Sequence, residues 1–189
     1  MTDADRDREQ RTSDPGAEVH VHERQVHFRG RIIDLATERL ELPSGLEQSI
    51  ELIEHDGAVA IAALDDQGRL VCVEQYRRAA GAPLVEVPAG RLDPGEDPEA
   101  GARRELEEET GLRARSWEKL SEFLPAPGFC TERIHLFLAT DLVAAGDDRL
   151  SPDDDEELAT LRLTPRELLD LPCRDAKSII AASLTLLRR

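Results

Sequence analysis

Residues 90–112 read GRLDPGEDPEAGARRELEEETGL, a glycine-containing loop followed by a helix with both ends marked in the sequence. Asp97 is a good N-cap, and Pro98 suits the first helical position. Gly111 is placed to terminate the helix, because glycine readily adopts the left-handed conformation that follows a last turn. The sequence therefore predicts a helix over about 98–110.

Three glutamates of this helix, Glu105, Glu108 and Glu109, are spaced i, i+3 and i+4 and share one face. Like charges at this spacing destabilise a helix, a cost that a bound cation would reverse. A solvated acidic face is the alternative explanation. The preceding strand and glycine loop favour a metal site, because they let backbone carbonyls and carboxylates converge in the all-oxygen ligation that magnesium prefers.

The same stretch resembles the Nudix signature, G-x5-E-x7-R-E-U-x-E-E-x-G-U, in which U is aliphatic. Every specified position is matched, by Gly90, Glu96, Arg104, Glu105, Leu106, Glu108, Glu109, Gly111 and Leu112. The resemblance implies an α/β chain with the Nudix fold, an α/β/α sandwich around a mixed sheet. It also implies a hydrolase that cuts the pyrophosphate bond of a nucleoside diphosphate compound.

The resemblance further implies a metal site made by the carboxylates of Glu105, Glu108 and Glu109 and the carbonyl of Ala89. Arg104 is expected to orient the glutamates by ion pairing, with Glu96 in a similar supporting part. The implied cofactor is Mg²⁺, with Mn²⁺ as a substitute. Such ions neutralise the diphosphate and lower the pKa of the attacking water.

Segments outside the signature resemble the ADP-ribose pyrophosphatase branch of the family: FRGRIIDL at 28–35, EQYR at 74–77, EVPAG at 86–90 and PAPGFCTER at 125–133. That branch carries a proline sixteen residues after the last glycine of the signature, which is Pro127 here. An ordinary turn proline is the alternative. ADP-ribose would give AMP and ribose 5-phosphate.

Substrate contacts are predicted at Phe28, Arg29, Arg77, Pro127 and Glu132. Arg77 offers a forked donor pair for phosphate oxygens, or is a surface arginine paired with an acid. Phe28 resembles the position that stacks on adenine, or is a core residue. The acidic loop SPDDDEEL, 151–158, lies where this branch delivers its general base, which predicts Glu156 or Glu157. Most of that loop is otherwise a solvated charge run.

Two alternating stretches over residues 21–45 predict an amino-terminal β-meander, preceded by a disordered tail over 1–20. Residues 46–189 form the predicted hydrolase domain. Its predicted elements are strands at 57–64, 69–76, 83–90, 133–140 and 158–163 and a helical region from Thr164. Asp-Asp-Gln-Gly at 65–68 predicts a hairpin turn. The meander needs a further surface to cover, which together with the family resemblance predicts a homodimer.

A formal net charge of −16 repels nucleic-acid polymers and anionic membranes, so the expected partner is a small nucleoside diphosphate compound. No apolar run is long enough for a membrane helix, and residues 1–20 carry no secretory signal, so the cytoplasm is expected. The three cysteines, Cys72, Cys130 and Cys173, predict reduced thiols. Two other enzymes, a GDP-mannose type nucleotide-sugar hydrolase and a dinucleotide hydrolase, share the signature, as does a catalytically idle nucleotide sensor.

Overall fold

A computed structural model describes residues 18–147, 149–150, 158–172 and 174–188 of the chain. Within these ranges the elements are, in chain order, β1 (His20–Arg29), β2 (Asp34–Glu41), β3 (Glu47–Glu54), β4 (Ala58–Ala63), β5 (Leu70–Arg77), β6 (Ala82–Glu86), β7 (Ala89–Arg91), α1 (Pro98–Thr110), β8 (Leu112–Phe123), β9 (Ile134–Ala144), β10 (Ala159–Leu163), α2 (Pro165–Asp170) and α3 (Ala176–Leu187). No helix in these ranges is both long and apolar enough to cross a lipid bilayer.

The backbone divides into two compact units. The first unit comprises Met1–His55 with Gly128–Cys130, and the second unit comprises Asp56–Pro127 with Thr131–Arg189. Most of the predicted tail, residues 1–17, lies outside the described residues, and β1 begins at His20. The predicted division at residue 45 stays a prediction.

In the first unit, β1, β2 and β3 form an antiparallel meander in that order. The two strands predicted within residues 21–45 are present as β1 and β2. The third strand, EQSIELIE at Glu47–Glu54, was not predicted. Its apolar residues, Ile50, Leu52 and Ile53, break the alternation of a half-buried strand, so the period-two signal is weak.

The second unit contains a four-stranded sheet of order β7-β4-β9-β8 and a three-stranded sheet of order β10-β5-β6. Strands β4 and β9 are parallel, whereas the other pairs are antiparallel. The predicted hairpin turn joins β4 to β5, and Gly68 adopts a φ of +74° there. The mixed sheet agrees with the fold that the signature implies.

Every residue of β4 is buried, because its two faces contribute to different hydrophobic cores. Ala58, Ala60 and Ala62 belong to a core that also includes Ala181 of α3. Val59, Ile61 and Ala63 belong to a second core that includes Leu106 of α1. Successive side chains of a strand point to opposite faces, so helices lie on both sides of β4.

The predicted helix over 98–110 is confirmed as α1. The Asp97 side chain caps it by accepting from the amide of Ala100 at 3.0 Å. At the other end, Gly111 has a φ of +67° and its amide donates to the Glu107 carbonyl. Local cap chemistry therefore determines where the acidic helix begins and ends.

The prediction of one strand over 83–90 was wrong. Residues Ala82–Glu86 pair with β5, whereas Ala89–Arg91 pair with β4 in the other sheet. Pro88 lies at the break, where its missing amide hydrogen costs no ladder bond. The long strand β8 was also missed, because its sequence LRARSWEKLSEF mixes charged and apolar residues without a clear period.

The described cysteines carry reduced thiols, as predicted: Cys72 is buried and Cys130 half-buried. Burial and the nearby charge of Asp175 raise the pKa of the Cys72 thiol to about 12, so the thiol is neutral at physiological pH. Cys173 lies outside the described residues.

Candidate active site

The acidic face of α1 is largely shielded from solvent. Glu105 is 9% exposed and Glu109 is 7% exposed, although both are charged residues on a helix next to a loop. Glu108 is half-buried beside them. Carboxylates are buried in this way only when hydrogen bonds or cations compensate the lost hydration. A solvated acidic face is therefore a poor description of this side of α1.

Arg104 supplies much of that compensation by contacting three carboxylates and a carbonyl. Its Nη1 donates to Glu105 at 2.7 Å and to Glu108 at 2.9 Å. Its Nε and Nη2 donate to the two oxygens of Glu96, each at 3.0 Å, and Nη2 also donates to the Arg91 carbonyl. The Glu96 hydrogen bonds raise the pKa of Arg104 above its usual range, and the same contacts lower that of Glu96.

Glycine at position 90 permits strand β7 to approach α1 closely. A Cβ at Gly90 would lie 2.0 Å from the Glu105 carboxylate carbon, well inside van der Waals contact. The neighbouring amide of Ala89 donates to Glu109 at 3.1 Å. Gly90 and Ala89 are held in register by pairing with Val59 and Ala60 of β4. The strand, loop and helix thus bring Ala89, Glu105 and Glu109 together.

This donor set fits a hard divalent cation, because it offers only carboxylate and carbonyl oxygens. Among the described residues, three metal-binding side chains converge within 4.8 Å only at His22, Glu41 and Glu47 in the first unit. That group is largely exposed and contains a surface ion pair. On α1, Nη1 of Arg104 lies between the carboxylates of Glu105 and Glu108 and pairs with both. A cation at this face would take over part of the charge compensation that Arg104 provides.

The fourth neighbouring glutamate, Glu107, has a different task. It accepts from Arg113 at 2.7 and 2.6 Å and from the amide of Leu150 at 3.0 Å. These bonds, led by that from Arg113, lower the pKa of Glu107. Glu107 therefore anchors β8 and the segment at Leu150, which follows β9, to α1. The signature does not specify the residue at this position.

Two residues that support the site were not predicted. A Cβ at Gly101 would lie 2.7 Å from Leu92 Cδ2 and 3.0 Å from Glu96 Oε2, so glycine lets Glu96 pass close to the helix. A glycine inside a helix is destabilising, so its presence at position 101 was the sequence signal for a close contact there. Glu86, the second residue, lies in the EVPAG segment and is 2% exposed. Its oxygens accept hydrogen bonds from Arg77 and Lys177, and the shortest distance to each partner is 2.7 Å.

The remaining predicted residues are distributed over both units. Phe28 lies in β1 and is 55% exposed, so it is not a core residue of this chain. Arg29 is exposed beside Asp34, at 3.4 Å. In the second unit, Pro127 occupies an exposed turn and Glu132 a half-buried position just before β9. Glu156 and Glu157 lie outside the described residues.

A cavity of about 600 Å³ lies elsewhere in the second unit. Its described lining includes Arg69, Arg162 and Asp141, and none of the predicted site residues. Both arginines approach Asp65, at 2.9 and 3.6 Å. The cavity is lined by none of the α1 carboxylates, so we assign it no part in the chemistry.

The family model for the NUDIX domain matches residues 54–183 of the chain. The protein is a member of the Nudix family. This match covers more than half of the sequence and includes the whole of the acidic helix. The family predicted from the signature is confirmed, and with it the class of enzyme, a Nudix hydrolase.

The Nudix chain is 42% identical to an ADP-ribose pyrophosphatase of Bacillus subtilis (strain 168) over 144 residues, covering 76% of this chain and 77% of the relative. It is 40% identical over 158 residues to a methanol dehydrogenase activator of Bacillus methanolicus, covering 82% and 85%. A crystal structure of an ADP compounds hydrolase superposes with a TM-score of 0.78 at 24% identity, covering 90% of this chain and 94% of that one. The last likeness confirms the predicted fold.

Proposed function

We propose that this Nudix hydrolase cleaves ADP-ribose to AMP and ribose 5-phosphate. It would use a divalent cation, Mg²⁺, for which Mn²⁺ can substitute. The observation that carries the proposal is the assembled face of Glu105, Glu108 and Glu109 against Ala89, in a chain 42% identical to an ADP-ribose pyrophosphatase. The sequence argues against a catalytically idle sensor, because every specified position of the signature is retained. The predicted cytoplasmic location is part of the same proposal.

Each residue contributes one physical task. The α1 carboxylates and the Ala89 carbonyl would hold the cation, while Arg104 and Glu96 keep those carboxylates in place. When bound there, a magnesium ion would supply polarisation of a phosphoryl oxygen and a lower pKa for a water. A loop carboxylate accepts a proton from the water while the water oxygen forms a bond to phosphorus. The anhydride P–O bond breaks, and its oxygen leaves with the other phosphate.

The test is a panel of nucleoside diphosphate compounds incubated with Mg²⁺ or Mn²⁺, with products resolved by chromatography. We expect ADP-ribose to give AMP and ribose 5-phosphate at the highest kcat/KM. Faster release of GMP from GDP-mannose would favour the nucleotide-sugar hydrolase. Faster cleavage of dinucleotides would favour the dinucleotide hydrolase. Binding of these compounds without turnover would identify an idle sensor and overturn the proposal.

The general base is proposed to be Glu156 or Glu157, because this branch of the family delivers its base from a loop in the same place. Changing each separately to Gln should give one variant with a large fall in kcat, about a hundredfold or more, and little change in KM. Asp170→Asn, an exposed acid at the end of α2, is the matched control. Full rate in both Gln variants would move the base elsewhere in the loop.

A homodimer is proposed in which residues 21–45 help to build the partner's substrate site through Phe28 and Arg29. The support is that β1 is a ten-residue edge strand with almost every residue exposed, including the apolar Val21 and Phe28. Long exposed edges are normally covered.

Deleting residues 1–17 leaves β1 whole and should preserve both the dimer and the activity. Deleting residues 1–42 should give a monomer with sharply weakened substrate binding. Light scattering combined with steady-state kinetics measures both effects. An intact protein that is monomeric and fully active would contradict the proposed dimer.

A further inference from the structure

Four charged side chains form a cluster between β5, β6 and the start of α3. Glu86 is its centre, with 3% of its side chain exposed. Arg77 binds it through Nε at 3.1 Å and Nη2 at 2.7 Å. Lys177 binds the same carboxylate at 2.7 Å and also reaches Asp175 at 3.1 Å. Glu86 and Lys177 are 91 residues apart, so only the tertiary structure brings them together.

The cluster is connected to the metal-binding face. The hydroxyl of Ser178 in α3 accepts from the amide of Val87 at 2.9 Å, which fastens α3 to the segment that leads to Ala89. The Ala89 amide in turn holds Glu109. Hydrogen bonding to Glu86 raises the pKa of Arg77, and the charge of Glu109 contributes to the same shift. Arg77 therefore lies within electrostatic reach of both the cluster and the metal-binding face.

The two cations of Glu86 differ in exposure. The Lys177 side chain is 14% exposed, whereas that of Arg77 is 41% exposed. Burial alone would raise the pKa of Glu86, but the Arg77 hydrogen bonds and the Lys177 charge outweigh it and lower the pKa. Glu86 thus stays ionised and needs a cation at all times. If Arg77 turned toward a phosphate, Lys177 would still compensate the buried carboxylate.

We propose that Lys177 is a positioning residue that holds the charge of Glu86, so that Arg77 can exchange this carboxylate for a phosphate oxygen of the substrate. The proposal rests on the proposed function, because it requires a diphosphate substrate. Without Lys177, Arg77 would be the sole close cation of the buried Glu86 carboxylate among the residues that the structure describes. Leaving a buried charge uncompensated is strongly unfavourable, so Arg77 would be withheld from the substrate.

The test begins with Lys177→Met, which keeps the length of the side chain and removes its charge. We expect KM for ADP-ribose to rise at least about tenfold, while kcat changes less than about twofold. Calorimetry of ADP-ribose binding without divalent metal should show the same weakening. Lys177→Arg should keep KM near the wild-type value. Lys119→Met, which removes an exposed ion pair with Glu122, is the matched control and should change neither parameter.

The double variant Lys177→Met/Glu86→Gln separates charge compensation from packing. A neutral Gln needs no cation and can still accept from Arg77, so KM should return to within about threefold of wild type. If Lys177→Met does not fold, the double variant alone decides, because it carries no buried charge at position 86. A KM that stays raised in the double variant overturns the proposal, as does an unchanged KM or a fall in kcat alone in Lys177→Met. A wild-type protein inert toward the whole panel would instead refute the proposed function.

Discussion

Changing Glu109 to Gln is expected to abolish turnover and leave the fold intact. The substitution removes one proposed anionic oxygen ligand, and the cation that it would hold would contribute several kcal/mol of transition-state stabilisation. Since each 1.36 kcal/mol is tenfold in rate, kcat should fall about a thousandfold or more. Steady-state kinetics across a magnesium titration measures the loss.

The fold should tolerate this change because Gln retains an acceptor for the Ala89 amide, which bonds Glu109 at 3.1 Å. Removing one charge from a like-charged face should leave the melting temperature without metal equal or higher. Glu99→Gln is the matched control, an exposed glutamate of the same helix that pairs with Arg103. Normal activity of Glu109→Gln would refute the metal-ligand assignment.

Adding a single methyl group at Gly90 is expected to have the second-largest effect. The new Cβ would fall 2.0 Å from the Glu105 carboxylate, so one of the two must move. The end of a glutamate side chain moves more easily than a strand paired with β4, and Gly90 does not need a positive φ. The carboxylate should therefore be displaced while the backbone stays in place.

Displacement of a catalytic group by about 1 Å can cost on the order of a hundredfold in rate. We expect Gly90→Ala to lower kcat by roughly that factor, to weaken magnesium binding, and to change thermal stability little. Gly128→Ala is the control, since a Cβ there would meet nothing within 4 Å. A Gly90→Ala enzyme with wild-type kcat and metal affinity would show that the position of Glu105 is unimportant.

The predictions that the structure confirmed concern features encoded over short distances. Asp97, Pro98 and Gly111 mark the ends of α1 through chemistry within one helical turn, and the structure begins and ends the helix there. The prediction for residues 83–90 was wrong because an apolar run indicates extended backbone but not its partner. The chain passes there from β5 to β4, and that choice depends on strands distant in sequence.

The sequence by itself determined the family, the acidic face of α1 and the arginine that pairs with this face, Arg104. The reason is that fixed spacings on a helix dictate which side chains are neighbours. The tertiary structure alone decided that Glu107 turns to Arg113 and not to the face that carries Glu105 and Glu109. It also decided that Lys177, 91 residues further along the chain, is the second cationic partner of Glu86. The physical reason is that the packing of α3 against β4 and β9 sets this contact, and no local periodicity or cap encodes that packing.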